Sequence, residues 1–548
     1  MLANSNPSET PAEARPRLCP RLINGAPARS SGSPAAPPGG PSPALDFRFI
    51  AYGRGLASCN GLAAGRAPDN NIDLSVTHLG SIPGSPGGLR GTWMLAAAGV
   101  LVAGVAIALA LVTSPESRGL KAVPLLVLLG GLVLTLRRER RLRGLSLFSP
   151  FAMAMLAYGV MFVVVPLADL AFDHPLARHT GWWSASWLAV AGFALMVLGY
   201  RLVVWRRTEP VDRSSDGSPR LVAVLSLSLL TVSVISVLAW ISSFTDLPTY
   251  IANFGARTRL FPRPSSSILI PASLAAPAVV LQAANVARDP STRRVVLFLL
   301  FWLLPGLLVS GFAGQRWRDL AILVAVASVY HLGWRRLSPR AVAATLAVLA
   351  LAFVVWGQQR NVVGTLAEGP SLLSANIYYD YVGQTHELGQ FRDFVITYEG
   401  IPDVVGYQYG ATLLSLIPGA PFPTAGQVYS TAFYGDLYRA GTSIPTPLPG
   451  ELYMNFALPG VAAGMLLFGG LLGVLESYRR REPAGYGRLA VYCYSILPLA
   501  LVLRGDVTTF LGYWIVGLIP LLLAVGLVEG RLGRLVVRNV PALGSRGA

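Results

Sequence analysis

Long apolar runs, separated by short interruptions that carry arginine, dominate the chain from residue 93 onward. A membrane-spanning helix needs about 20 consecutive, mostly apolar residues. By that measure spans are expected at 93–112, 121–136, 150–171, 182–205, 220–241, 266–287, 294–311, 318–334, 340–357, 454–475, 487–503 and 508–528, about twelve in all. Lipid admits only helices and closed barrels, because it offers backbone groups no hydrogen-bond partners. The runs are too long and too uniformly apolar for barrel strands, which alternate. The pattern therefore predicts an all-α, polytopic transmembrane helix bundle. It shows no internal repeat of the kind many transporters carry.

The arginines give an orientation. Arg137, Arg138, Arg140, Arg141 and Arg143 follow the second span, and Arg201, Arg206, Arg207, Arg213 and Arg220 follow the fourth. Arg288, Arg293 and Arg294 follow the sixth, Arg335, Arg336 and Arg340 the eighth, and Arg479, Arg480, Arg481 and Arg488 the tenth. Loops after odd-numbered spans are poorer per residue. Positive residues stay on the cytoplasmic side. The alternation places both termini in the cytoplasm and the segment from Gln358 to Tyr453 outside.

That segment breaks the apolar pattern. It holds Arg360, Asp380, His386, Glu387, Arg392, Asp393, Glu399, Asp403, Asp436, Arg439 and Glu451, together with many Tyr, Phe and Leu residues. A loop of this length is uncommon unless it is functional or disordered. Its apolar content argues for a folded extracytoplasmic cap of loops and short helices. Ser371 to Tyr398 reads as two short amphipathic helices broken near Gly383. Gln408 to Ile417 reads as a short apolar piece, and the prolines from Thr442 to Phe456 as an extended strap. The chain thus divides into an N-terminal segment (1–92), spans one to nine (93–357), the cap (358–453), spans ten to twelve (454–530) and a cytoplasmic tail (531–548).

Composition sharpens this in two places. The hydrophobic share is 53%, the charged share 13% and the mean hydropathy +0.53, values of a membrane protein rather than a soluble globule. The net charge of +17 would suggest nucleic acid in a soluble protein. Here the arginines mark loops and interfaces, and no nucleic-acid partner is expected. Residues 1–92 are rich in Pro, Ala, Gly, Ser and Arg and have the composition of a disordered segment. They lack the apolar core of a signal peptide; a start at Met94, which opens the first apolar run, is the alternative. Cys19, Cys59 and Cys493 make neither a disulfide framework nor a metal set.

Candidate chemistry gathers at the outward ends of the spans. Phe172 to Gly181 carries Asp173, His174, Arg178 and His179 before an anchoring Trp182–Trp183 pair. Arg257, Arg259 and Arg263 form either an anion clamp or a solvated basic loop. Gly314 to Asp319 places Arg316, Arg318 and Asp319 at the head of the eighth span. Arg504 and Asp506 sit in a short turn between two apolar spans, where charge is a functional signal by default. Asp506 equally suits the N-cap of the last span.

Three of these stretches resemble the oligosaccharide repeat-unit polymerases, the Wzy-type O-antigen polymerase family. They are Gly-Gln-Arg at 314–316 opening a span, Pro-Thr-Pro-Leu-Pro-Gly-Glu-Leu-Tyr-Met-Asn-Phe at 445–456, and Leu-Arg-Gly-Asp at 503–506. The large loop between late spans and the Arg439-to-Gly450 spacing match as well, so the resemblance covers roughly 94–530. It implies a glycosyltransferase in the bacterial cytoplasmic (inner) membrane. Such an enzyme transfers a growing glycan from polyprenyl (undecaprenyl) diphosphate onto a new lipid-linked repeat unit at the outer face. The product is a surface polysaccharide of the cell envelope: O-antigen, capsule or exopolysaccharide. The resemblance implies no cofactor and no metal. Its expected partners are lipid-linked glycans, membrane lipid, a chain-length regulator and a flippase.

That chemistry needs cations facing the leaving diphosphate and a base for the acceptor hydroxyl. Arg316, Arg360, Arg392, Arg439 and Arg504 are the candidate binding residues. Glu451, His386, Glu387 and Asp506 are the candidate bases. The tyrosines Tyr378, Tyr379, Tyr381, Tyr398, Tyr407 and Tyr409 are available to stack on sugars or to pack at the interface. Two other readings stay open: an O-antigen ligase-like glycan transferase with the same donor, and a polysaccharide transporter or flippase.

Overall fold

A computed structural model describes residues 87–112, 115–204, 218–253, 261–262, 266–313, 316–338, 340–345, 347–348, 389–417, 420–435, 444, 446–480, 485–505 and 507–528. Every regular element among them is a helix. In chain order the longer ones are α1 (Gly87–Ala110), α2 (Arg118–Arg143), α3 (Pro150–Ala171), α4 (Gly181–Val204), α5 (Pro219–Ser242), α6 (Ile268–Arg288), α7 (Thr292–Phe312) and α8 (Arg316–Val329). Then follow α9 (Gln390–Gly400), α10 (Ala425–Tyr434), α11 (Leu448–Arg480), α12 (Tyr486–Val502) and α13 (Val507–Val528).

Eight of the helices (α2 to α7, α11 and α13) are long and apolar enough to cross a membrane. They coincide with eight of the runs expected from the sequence. The first and eleventh runs fall on shorter apolar helices, at Ala97–Ala110 and Tyr486–Val502. The eighth falls on α8 and the π-turn Tyr330–Trp334 that extends it. Most of the ninth lies outside the described residues.

The middle of the bundle is the packing of α4 on α11. Gly469 and Gly473, one helical turn apart, let the two backbones approach directly. A Cβ at Gly469 would lie 1.9 Å from the Met196 carbonyl oxygen, and one at Gly473 would lie 2.7 Å from that of Tyr200. From the other side, a Cβ at Gly199 would lie 2.0 Å from the Leu466 carbonyl. Lipid supplies no hydrophobic drive between helices, so close van der Waals packing across small residues has to hold them. Around this seam the outward faces stay apolar and uncovered, as at Leu467, which is 73% exposed. That distribution suits a hydrocarbon environment.

Local sequence explains the ends and bends. Ser149 accepts the Ala152 N–H and Pro150 follows it, so α3 starts there. Gly144 in the left-handed conformation closes α2. Pro166 and Pro305 each follow a π-turn, at Val160–Val164 and Leu299–Leu303, whose widened loop absorbs the missing proline N–H.

Two buried glutamates tie the arginine-rich ends together. Glu139 of α2 receives Arg201 of α4 at 3.0 Å and Arg143 at 3.1 Å. Glu476 of α11 receives Arg479 at 3.1 Å and Arg480 at 2.9 Å, and accepts the Tyr492 hydroxyl of α12 at 2.5 Å. Arg480 also donates to the Arg143 carbonyl at 3.3 Å.

One element departs from the expectation of an extended strap. Helix begins at Leu448, because Pro449 falls in the first turn, where its absent N–H and fixed φ do no harm. This helix breaks at Phe456 and Ala457, the latter at φ 55°. Its front half (448–455) then folds back on its long half (458–480). The Leu452 carbonyl comes within 2.4 Å of where a Cβ on Gly460 would stand, and the Leu452 side chain lies against Gly464. Along a straight helix Leu452 and Gly464 would be about 18 Å apart.

We expect Gly469→Leu to force α4 and α11 apart. Overpacking of this kind costs about 1–3 kcal/mol. It should read as a lower thermal midpoint in detergent, whereas Leu467→Ala on the exposed face should leave the midpoint nearly unchanged.

Candidate functional site

The fold-back of α11 brings the end of the strap, the front half of α11 and the turn before α13 into one cluster. Glu451 is fully buried, and its Oε2 accepts the Val507 N–H of α13 at 2.8 Å. It therefore caps the last helix, a place where negative charge is favourable. The Leu448 N–H donates to the Leu503 carbonyl at 3.3 Å. Gly505, at φ 109°, sits so close to the strap that a Cβ would lie 1.7 Å from the Thr446 carbonyl. No other residue fits there. Arg504, half-buried, stands beside it in the same turn.

The break in α11 releases carbonyls that lipid could not satisfy. The segment after the cap helix takes them up: the Gln408 N–H reaches the Met454 carbonyl at 2.9 Å, and the Tyr409 N–H that of Asn455 at 3.0 Å. The Asn455 side chain completes the seal. It accepts the Gly410 N–H at 3.0 Å and donates to Thr412 Oγ1 at 2.7 Å and to the Glu451 carbonyl at 2.8 Å. The apolar piece expected at 408–417 is thus a clamp on the broken helix, with one helical turn at Ala411–Leu414. It gathers tyrosines: Tyr453 lies 5.1 Å from Tyr398 and 6.2 Å from Tyr407 between ring centroids, and Tyr407 6.4 Å from Tyr409. Tyr409, at the outer edge, is 80% exposed.

Cap helix α9 holds this arrangement in place with its charged residues. Arg392 grips Asp169 of α3 through both Nε, at 2.9 Å, and Nη2. Both residues are buried. Asp393 accepts the Tyr429 hydroxyl of α10 at 3.0 Å, and Thr397 meets Thr446 of the strap at 2.9 Å. Glu399 accepts the Gly181 N–H at 2.6 Å, the Thr180 hydroxyl at 3.0 Å and His179 Nδ1 at 2.6 Å. Burial alone would push the Glu399 carboxyl up. The hydrogen bonds from His179, Gly181 and Thr180 outweigh it and hold the carboxyl below its ordinary value. Phe391 and Phe394 pack edge-on against Phe162, and Phe391 against Trp182, beneath the same helix.

Two turns along α13 a second polar group is buried. Arg318 of α8 lies 4.8 Å over the Tyr513 ring and 5.6 Å over that of Trp317. Trp317 packs edge-on against both Phe510 and Tyr513. Asp319 follows in the first turn of α8. Arg316 is the first residue of that helix.

Of the residues singled out from the sequence, Glu451 reaches the start of α13, just past the turn that carries Arg504, and Arg316 opens the helix whose Trp317 packs against α13. Arg392 stands apart, in its ion pair with Asp169. Arg360, His386, Glu387, Arg439 and Asp506 lie outside the described residues, as do Tyr378, Tyr379 and Tyr381. Sequence reasoning missed Asp169, a lone carboxylate in the last turn of an apolar run, although charge at such a place is a signal. It quoted Asn455 and gave it no task; its task needs the break in α11.

No protein-family model, curated protein or solved structure matches this chain.

Truncating Arg392 to Ala leaves Asp169 buried without its partner. A loss of about 3–5 kcal/mol is expected, visible as early unfolding in detergent; the double variant with Asp169→Asn should recover part of it. Because the folded Glu399 carboxyl titrates below its ordinary value of 4.5, its tether is at full strength above that pH. It weakens as the pH falls through the lower folded value. The protection factors of amides 390–400, corrected for intrinsic exchange at each pH, should therefore fall on acidification, and Glu399→Gln should flatten that response.

Proposed function

We propose that this chain polymerises polyprenyl-diphosphate-linked oligosaccharide repeat units at the outer face of a bacterial cytoplasmic membrane. In this reading the bundle has twelve spans, both termini are cytoplasmic, and the cap faces outward. The observation that carries it is the break in α11, where Asn455 bonds the Glu451 carbonyl, Glu451 reaches the turn that carries Arg504, and Tyr453 packs with Tyr398 and Tyr407.

The location of charge supports a transferase over a transporter. Among the described residues, ten charged side chains are buried, from Lys121 to Arg488. All stand at helix ends or in the cap. A translocation path calls for ionisable groups in mid-span.

The chemistry assigned to these groups is glycosyl transfer. The acceptor hydroxyl oxygen forms the new bond to the anomeric carbon of the donor glycan. The anomeric C–O bond breaks, and its electron pair leaves on the lipid diphosphate. Arg504 stabilises the charge that develops there. The hydroxyl proton passes to Glu451 once substrate opens the packing over it; at rest the carboxylate is fully buried and its Oε2 holds the Val507 N–H. The tyrosine shelf offers faces for sugar rings. Arg392 positions the cap through Asp169.

Glu451→Gln separates the chemical role from the structural one, because the amide oxygen can still accept the Val507 N–H. In a polymerase-deleted strain complemented with this variant, polysaccharide ladders on gels should collapse to a single repeat unit, with transfer to the final carrier intact. Removal of a base lowers the rate by about 10²–10⁴-fold. A full ladder would remove Glu451 from the chemistry. A ladder that stays on the lipid carrier would favour a ligase, and loss of all external glycan a transporter.

A further inference from the structure

A cleft of about 220 Å³ opens in the wall of the bundle between α1, α2 and α4. It lies at the arginine-rich end, away from the cap. Its apolar part is formed by Gly99, Val102, Phe193 and Leu198. A Cβ on Gly99 would meet Leu198 at 3.5 Å, an ordinary contact, so a longer side chain there would enter the cleft. Its mouth carries Arg138, Arg143, Arg201 and Glu139. Three guanidinium groups against one carboxylate leave a surplus of two positive charges. Arg143 and Arg201 both hold Glu139. Arg138 is exposed and has no ion-pair partner among the described residues.

The flanks of the cleft are apolar and bare: Val102 is 48% exposed and Leu142 67%. An apolar slot beside a cationic mouth, on a face of that character, matches a molecule with a hydrocarbon chain and an anionic head. We propose that this cleft binds one anionic phospholipid, its phosphate on Arg138, Arg143 and Arg201 and one acyl chain along Gly99, Phe193 and Leu198. The charge complementarity commits the site to lipid of net negative charge; a zwitterionic headgroup brings its own cation to the same mouth. Basic pockets between membrane helices select anionic headgroups for this reason. The site is independent of the polymerase reading, because it shares no residue with the cap-end cluster.

The test uses the delipidated full chain in detergent, titrated with phosphatidylglycerol and read by native mass spectrometry. Phosphatidylcholine and inorganic phosphate are run in parallel. One phosphatidylglycerol should bind at least about fivefold more tightly than phosphatidylcholine, and Arg138→Ala should remove about fivefold of that affinity. Arg138 is exposed and holds no ion pair among the described residues, so this variant should keep the fold. Gly99→Leu fills the slot and should weaken both lipids. Equal binding of the two lipids, or phosphatidylglycerol binding that neither variant changes, overturns the proposal. So does displacement of phosphatidylglycerol by inorganic phosphate at equal concentration, which would show an anion site without a lipid slot.

Discussion

A backbone group in hydrocarbon must find its partner within the protein, and the break in α11 puts that requirement at the centre of this molecule. A helix that stops at Phe456 and turns back leaves carbonyls open at Met454 and Asn455. The 408–412 segment closes them, and the Asn455 side chain ties that segment to Glu451 and Thr412. The rest of the cap is arranged so that this closure holds. Gly460 and Gly464 give the folded-back half room, Gly505 lets the strap lie on the next turn, and Glu451 reaches the start of α13. Each is a response to one interrupted helix.

Two modes of cohesion share the work elsewhere. In the apolar middle, α4 and α11 touch backbone to backbone through glycines, as dispersion alone requires in lipid. At the ends, buried charges take over. Glu139 and Glu476 each hold two arginines at one end. The Asp169–Arg392 pair and the Glu399 contacts dock α9 at the other. A buried pair is weak evidence of net stability but strong evidence of a specified geometry: either partner alone would be costly there. Charge at helix ends thus fixes how the helices are stacked, and the cap is keyed onto the bundle through α3 and α4.

These devices separate two surfaces of different character. The cap end holds a buried carboxylate, a half-buried guanidinium and a row of tyrosines, and the polymerase reading draws on that group. The opposite end offers a lipid-facing slot with a cationic mouth. The long half of α11 runs from one to the other, so the helix that positions Glu451 also carries the glutamate that anchors the arginine-rich end.

The apolar runs alone located the eight membrane-length helices among the described residues, because a long uncharged stretch satisfies its backbone in lipid as a helix. They also marked 445–456 and 503–506 as places of interest, since prolines, Glu451 and Arg504 stand out against such a background. What a linear pattern could not disclose was the turn of α11. The local signal there, Pro449 among other prolines, suits an extended strap and a helix start equally well. Only the contacts of Leu452 with Gly460 and Gly464, more than two turns away, select the fold-back. The partners of Arg392 and Glu399 were hidden for a similar reason. Asp169 and Gly181 lie more than 200 residues earlier, and charge pairing across such a distance is decided by how helices pack. Burial at single positions is written in the chain; which buried groups meet is written in the packing.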